Sequence, residues 1–262
     1  MGVVNVTPDS FSDGGHFLEA GAAVDHARRL AEEGADIVDV GAESSRPGAD
    51  VVATPEEELR RLLPVLKGLR DLPVPVSVDT VKPEVMRAAI AEGASMVNDI
   101  NALRAPGALE AVASAEVGVC LMHMQGEPRT MQREPRYGDV VAEVEAFLAE
   151  RVAAAEARGI ARERIVIDPG FGFGKTLEHN FELLRNLGRL AETGLPVMAG
   201  WSRKSTLGAV TGRGPAERLA ASVAAALLAV QHGAKIVRVH DVAATRDALA
   251  VLAAMGGQGG KR

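Results

Sequence analysis

The chain opens Met1-Gly-Val-Val-Asn-Val-Thr-Pro-Asp-Ser-Phe-Ser-Asp-Gly-Gly15. Residues 2–6 read as a short apolar strand that carries one amide, Asn5. Pro8 then breaks the run into a loop of Asp, Ser and Gly with a single aromatic, Phe11. A buried strand gains nothing from an asparagine unless something is bound at its end. The loop is polar and punctuated by glycine, the composition of a segment able to move over a ligand. Whether this unit recurs decides the fold.

It does recur. Short runs rich in β-branched residues lie at 2–6, 36–40, 74–78, 95–98, 117–122, 164–168, 196–200 and 235–239. Each is mostly apolar on both faces, as parallel strands covered by helices should be. Amphipathic stretches at 20–31, 55–70, 83–91, 108–115, 140–158, 177–190, 215–231 and 243–255 read as helices. Thr54-Pro55-Glu56-Glu57-Glu58 is a strong start signal, with a Thr cap, Pro in the first turn and acids beside the helix dipole. Gly34, Gly93, Gly159, Gly194 and Gly233 follow helices as stops. Eight alternations with no break in composition predict an α/β fold, a single (β/α)8 TIM barrel over 1–262 with a flexible tail at 256–262. A doubly wound open sheet is the alternative.

Composition narrows the chemistry. The 262 residues are 47% hydrophobic, without an apolar run long enough for a membrane span. No basic-then-apolar leader is visible. Net charge is −6 with no basic block, which speaks against nucleic acid as a partner. Cys120 is the only cysteine, so no internal disulfide forms and a reducing, cytoplasmic setting is expected. The histidines show no H-E-x-x-H spacing, and no zinc site is expected.

In such a barrel the active site lies where the strands end. There the chain places Asn5, Glu43-Ser44-Ser45-Arg46-Pro47-Gly48, Ser77-Val78-Asp79-Thr80, Asn98-Asp99-Ile100 and Met122-His123-Met124. Asp168-Pro169-Gly170-Phe171-Gly172-Phe173-Gly174-Lys175, Trp201-Ser202-Arg203-Lys204-Ser205 and Arg238-Val239-His240-Asp241 complete the set. One polar ending is an ordinary loop; eight together describe a site. Gly174-Lys175-Thr176 looks like the end of a phosphate-binding loop, but Pro169 stands where its first glycine is required. The glycines read instead as a loop that brings Phe173 up to a flat ligand.

In order and spacing, residues 1–15, 43–48, 77–80, 98–100, 121–125, 168–175, 202–205 and 238–241 resemble the dihydropteroate synthases, over nearly the whole chain. The resemblance implies a transferase of folate biosynthesis, a sulfonamide target. Its reaction joins 6-hydroxymethyl-7,8-dihydropterin diphosphate to p-aminobenzoate, giving 7,8-dihydropteroate and diphosphate. By similarity Asn5 binds Mg²⁺. Ser45, Asp79, Asn98, Asp168, Lys204, Arg238 and His240 contact the pterin diphosphate, and Arg46 helps hold its diphosphate. Phe11, Pro47 and Ser202 help form the p-aminobenzoate pocket. Members are homodimers, and the alanine-rich helices at 215–231 and 243–255 are the expected contact. Three departures stand out. The first strand starts at residue 2, where members usually carry extra residues before it. Ser45 replaces a common threonine but keeps the hydroxyl. Trp201 stands where a smaller residue is frequent, which bears on pocket shape.

The residue types divide into two sub-sites. Asp79 and Asp168, beside Asn98, are costly to bury unless a ligand hydrogen-bonds them. A pterin presents an adjacent amino group and ring N–H, a fork that a carboxylate accepts in two bonds. Lys204 is placed to offset one carboxylate and donate to ring acceptors; a purely structural Asp79–Lys204 pair is the alternative. Arg46, Arg238 and His240 suit a diphosphate, near a frequent phosphate position of this architecture. Asn5 is a neutral oxygen ligand for Mg²⁺ already held by diphosphate.

Lys204, Arg238, His240 and Arg46 are therefore the expected catalytic residues. They act on a substitution at the pterin methylene carbon through a loose transition state, with Mg²⁺ and the cations on the leaving diphosphate. Loops at 7–17 and 44–53 would close, exclude water and seat the arylamine. A pterin-binding methyltransferase module would share the barrel and the acids; the Asn5 loop, Arg46 and Lys204 count against it. A catalytically dead scaffold is at odds with the intact charged strand ends.

Overall fold

The computed structural model describes residues 1–6, 16–43 and 53–256. Phe11, Ser45, Arg46, Pro47 and nearly all of the expected tail lie outside the described residues.

Eight short parallel strands form a ring: β1 (Gly2–Asn5), β2 (Val38–Gly41), β3 (Val76–Asp79), β4 (Met96–Asp99), β5 (Gly118–Met122), β6 (Ile165–Asp168), β7 (Met198–Ala199) and β8 (Ile236–Val237). The first six pair in chain order, and β7 pairs with β8. Bridges from Ile167 to Val197 and from Gly2 to Val239 close the barrel. An open doubly wound sheet would reverse its strand order and leave edges; this sheet does neither.

The outer layer holds α1 (His16–Glu32), α2 (Pro55–Gly68), α3 (Pro83–Ala91), α4 (Ala108–Ala113), α5 (Val140–Ala157), α6 (Leu177–Arg185), α7 (Leu187–Ala191), α8 (Ser205–Thr211), α9 (Leu219–Gln231) and α10 (Val242–Met255). Helix α2 starts where its signal says. Thr54 Oγ1 accepts from the Glu57 amide at 3.2 Å, and Glu57 accepts from the Thr54 amide at 3.1 Å. The stretch at 177–190 is two helices rather than one. Asn186 ends α6, its Nδ2 donating at 2.9 Å to the Glu182 carbonyl, which also accepts the Asn186 amide at 3.1 Å. The stretch at 215–231 starts with a 3₁₀ turn, Pro215–Glu217, before α9 begins. Helix α8 has no counterpart in the sequence reading, because so short a segment carries too little periodicity to be seen.

Apolar side chains fill two shells. Between strands and helices lie residues such as Val38, Leu62, Val97, Leu121, Ile165 and Ile167, all nearly inaccessible. Inside the barrel Met1, Met96, Cys120 and Met198 pack together with Ile37, Val166 and Ile236. Long unbranched methionines suit that tapering interior. The expectation of strands apolar on both faces fails at Asp39 and Ser77. Both are 0% exposed and stand opposite each other across β2 and β3.

Candidate active site

Register aligns the mouth of the barrel. Asn5 pairs with Gly41, Gly41 with Asp79, and Asp79 with Asn98, so β1 to β4 end at one level. Glycine at 41 makes room: a Cβ there would stand 3.3 Å from the Asp79 Cβ. Across the ring Met122 pairs with Asp168.

The two sub-sites inferred from sequence meet at one guanidinium. Arg238 Nη2 donates to Asp79 Oδ2 at 2.9 Å, and its Nε donates to Asp39 Oδ2 at 2.6 Å. Asn98 Nδ2 donates to the same Asp39 oxygen at 3.0 Å. Arg238 therefore lies with the pterin-side acids in this structure, and Asp79 pairs with Arg238 rather than Lys204. Burial pushes the Asp79 carboxyl up to about 7; Arg238 opposes this and Asp39 adds to it. Asp168 is also raised by burial, against the pull of Lys204 and of the Gly170 amide, which donates to Oδ1 at 2.6 Å.

Lys204 comes from the turn after β7. Arg203 sits there at φ 58°, and its guanidinium holds Asp241 at 2.6 Å. This strained turn directs Lys204 toward the β6 loop, where its ammonium donates to the Phe171 carbonyl. The ammonium lies 4.6 Å from the centre of the Phe173 ring. Burial lowers Lys204 to about 8, opposed by the charge of Asp168. Ser202 Oγ accepts from the His240 amide at 3.2 Å and lies 2.9 Å from its Nδ1. Residues assigned from sequence to different ligands are thus in contact.

The β6 loop is fastened from below. Lys175 is 3% exposed, and its Nζ donates to the carbonyls of Gly170 and Phe173 and to His123 Nδ1, each at 3.0 Å. It binds the loop rather than a phosphate, in keeping with the failed motif. Burial and Lys175 hold the His123 imidazole down at about 3. A Cβ at Gly170 would stand 1.9 Å from the His123 carbonyl, so this glycine is required by the neighbouring chain as well as by its φ of 69°. Trp201 does not shape the mouth. It is 2% exposed, with its ring 4.5 Å from that of Phe171 in the layer between barrel and helices.

Sequence reasoning passed over Asp39 and Lys82. Lys82 Nζ donates to the fully buried Glu58 at 2.6 Å and also holds Glu43. Glu43 in turn accepts from the Ala53 amide at 3.1 Å, joining the two ends of the segment that carries Ser45, Arg46 and Pro47. The available signal was Asp39 within Ile37-Val-Asp-Val40, where a polar side chain interrupts an apolar strand as Asn5 does.

Among the described residues no group of three or more His, Cys, Asp or Glu is placed to hold a metal. Asn5 offers one neutral oxygen donor at the end of β1. That suits a hard cation which keeps its other ligands from water and phosphate, as Mg²⁺ does.

A closed barrel whose strand ends carry paired carboxylates, an amide and lysine defines the pterin-binding enzymes, and the family described as "Pterin binding enzyme" matches residues 1–240. The dihydropteroate synthase of Neisseria meningitidis serogroup B is 54% identical over 98% of this chain and 92% of its own length. The Xanthomonas albilineans dihydropteroate synthase solved with 4-aminobenzoic acid is 58% identical, with a TM-score of 0.92 over 98% of this chain and 92% of that one. The same organism's enzyme in complex with 7,8-dihydropteroate gives 56% and 0.89, over 98% and 92%. The chain belongs to the pterin-binding enzymes and, among them, to the dihydropteroate synthases.

Proposed function

We propose that the charged floor of the barrel mouth is where this chain performs the reaction of its family. It is a transferase that condenses 6-hydroxymethyl-7,8-dihydropterin diphosphate with p-aminobenzoate, forming 7,8-dihydropteroate and releasing diphosphate. The observation that carries the assignment of the site is the row Asp79–Asn98, with Asp168 and Lys204 facing it across the ring.

Asp168 and Asp79 accept the amino and ring N–H groups of the pterin, while Lys204 donates to its ring acceptors. Phe173 lies along the ring face. Arg238, anchored between Asp39 and Asp79, and His240, beside Ser202, meet the charge that develops on the leaving diphosphate. The C–O bond at the methylene breaks ahead of attack, because the electron-rich dihydropterin bears the developing cation. The neutral arylamine is already nucleophilic, so its nitrogen needs no strong base. Phe11, Ser45, Arg46, Pro47 and Ser202 complete the diphosphate and arylamine contacts. Asn5 would help hold Mg²⁺ together with the diphosphate, and the ion would supply charge neutralisation when bound.

A homodimer through α9 and α10 fits the exposed Leu219, Leu228, Val251 and Met255 on these adjacent helices. Light scattering giving a mass near 27.4 kDa at micromolar protein would refute it. Among the described residues no helix is long and apolar enough to cross a membrane. A cytoplasmic setting fits the single buried thiol, Cys120. The deciding experiment supplies both substrates and measures diphosphate release. A methyltransferase module or a dead scaffold would release none.

A further inference from the structure

We propose that Asp39 is a positioning residue of the pterin site, fixing which end of the Asn98 amide meets the ligand and holding Arg238 in plane beside it. This rests on the reading of the mouth as the pterin site. Asp39 lies one pleat below the mouth and is 0% exposed, too deep to touch a ligand itself. One of its oxygens, Oδ2, accepts both from Asn98 Nδ2 at 3.0 Å and from Arg238 Nε at 2.6 Å.

The first contact settles an ambiguity that amides otherwise leave open. A carboxylate only accepts, so the Asn98 nitrogen must face Asp39. The Asn98 carbonyl oxygen is then the atom offered to a ligand. The floor beside Asp79 consequently reads a donor, a ring N–H or amino group, and disfavours a ligand presenting an acceptor there. The second contact takes the Nε edge of Arg238 and leaves Nη2 on Asp79.

Asp39 is a poor device for stability alone. Its Oδ1 has no hydrogen-bond partner, and the Oγ of Ser77 opposite it has none either. Apolar residues in place of the whole group of Asp39, Asn98 and Arg238 would fill the barrel at no greater cost. What the carboxylate contributes is orientation of two groups above it.

The test pairs kinetics with a direct view of the amide. Asp39→Asn keeps the shape and removes the charge. The KM for the pterin diphosphate should rise about tenfold or more through loss of charge-assisted bonds, while the KM for p-aminobenzoate stays nearly constant. In an Asn98→Ala background the same substitution should have a smaller effect, because the two act through one contact. An unchanged pterin KM, or equal rises for both substrates, overturns the proposal. Should Asp39→Asn not fold, the unaltered protein still decides. Its Asn98 side-chain NH₂ signal, assigned by its loss in Asn98→Ala, should be protected from exchange already in the ligand-free protein. Rapid exchange there overturns the proposal. Absence of diphosphate release from the unaltered enzyme would instead sink the functional reading and leave the amide experiment valid.

Discussion

Arg238 Nη2 lies 2.9 Å from Asp79 Oδ2, although 159 residues separate them in the chain. The last strand thereby places a cation against the acid at the end of the third. In the proposed reading the pterin and diphosphate halves of the site share this pair, so a change at either end is felt at both.

Removing the acids should weaken pterin binding without unfolding the barrel. Asp79→Ala and Asp168→Ala should each cost roughly 2–4 kcal/mol in affinity for the pterin diphosphate, through loss of charge-assisted bonds. Calorimetry showing unchanged affinity in both variants would contradict the assignment.

Activity should follow a bell in pH. Asp79, raised to about 7, loses its charge as pH falls through that value, and Lys204, lowered to about 8, loses its charge as pH rises. The profile of kcat/KM reports groups of the free enzyme, so its limbs should lie near those values. Lys204→Arg should erase the alkaline limb, because a guanidinium stays charged. A limb that persists unchanged refutes the assignment to Lys204. For stability the sign differs. The folded Asp79 keeps a proton that an unfolded aspartate releases at about 4. Its contribution is full below that pH and is lost as pH rises through about 7.

Metal should matter to turnover and not to folding. With Asn5 the sole proposed protein ligand, Mg²⁺ should bind the free protein weakly and tighten with diphosphate present. EDTA should abolish diphosphate release and leave the circular dichroism spectrum intact. A tight site in the free protein, or full activity in EDTA, defeats this.

Lys82→Met should destabilise the fold by about 3 kcal/mol, because it leaves Glu58 buried without its counter-charge. Urea unfolding reads the effect directly. A loss below about 1 kcal/mol would show that Glu58 finds another partner or a proton.

The sequence by itself determined the architecture and the family. Eight mostly apolar runs alternating with amphipathic helices, with no break in composition, pointed to a parallel barrel ahead of the open doubly wound sheet, which also covers its strands on both sides. Local signals such as the Thr54–Glu57 box and the stop at Gly34 set element ends, since they depend on neighbours a few residues away. The polar strand ends then marked Asn5, Asp79, Asn98, Asp168, Lys204 and Arg238 in advance. Only the tertiary structure decided who meets whom. Arg238 belongs with Asp79 and Asp39, Ser202 with His240, and Lys175 with the loop it closes. Those partners come from strands that are distant in sequence, and the closed ring fixes their register. Asp39 was legible as an anomaly in an apolar run but not as a support, because its role exists only where β2, β4 and β8 face one another across the barrel.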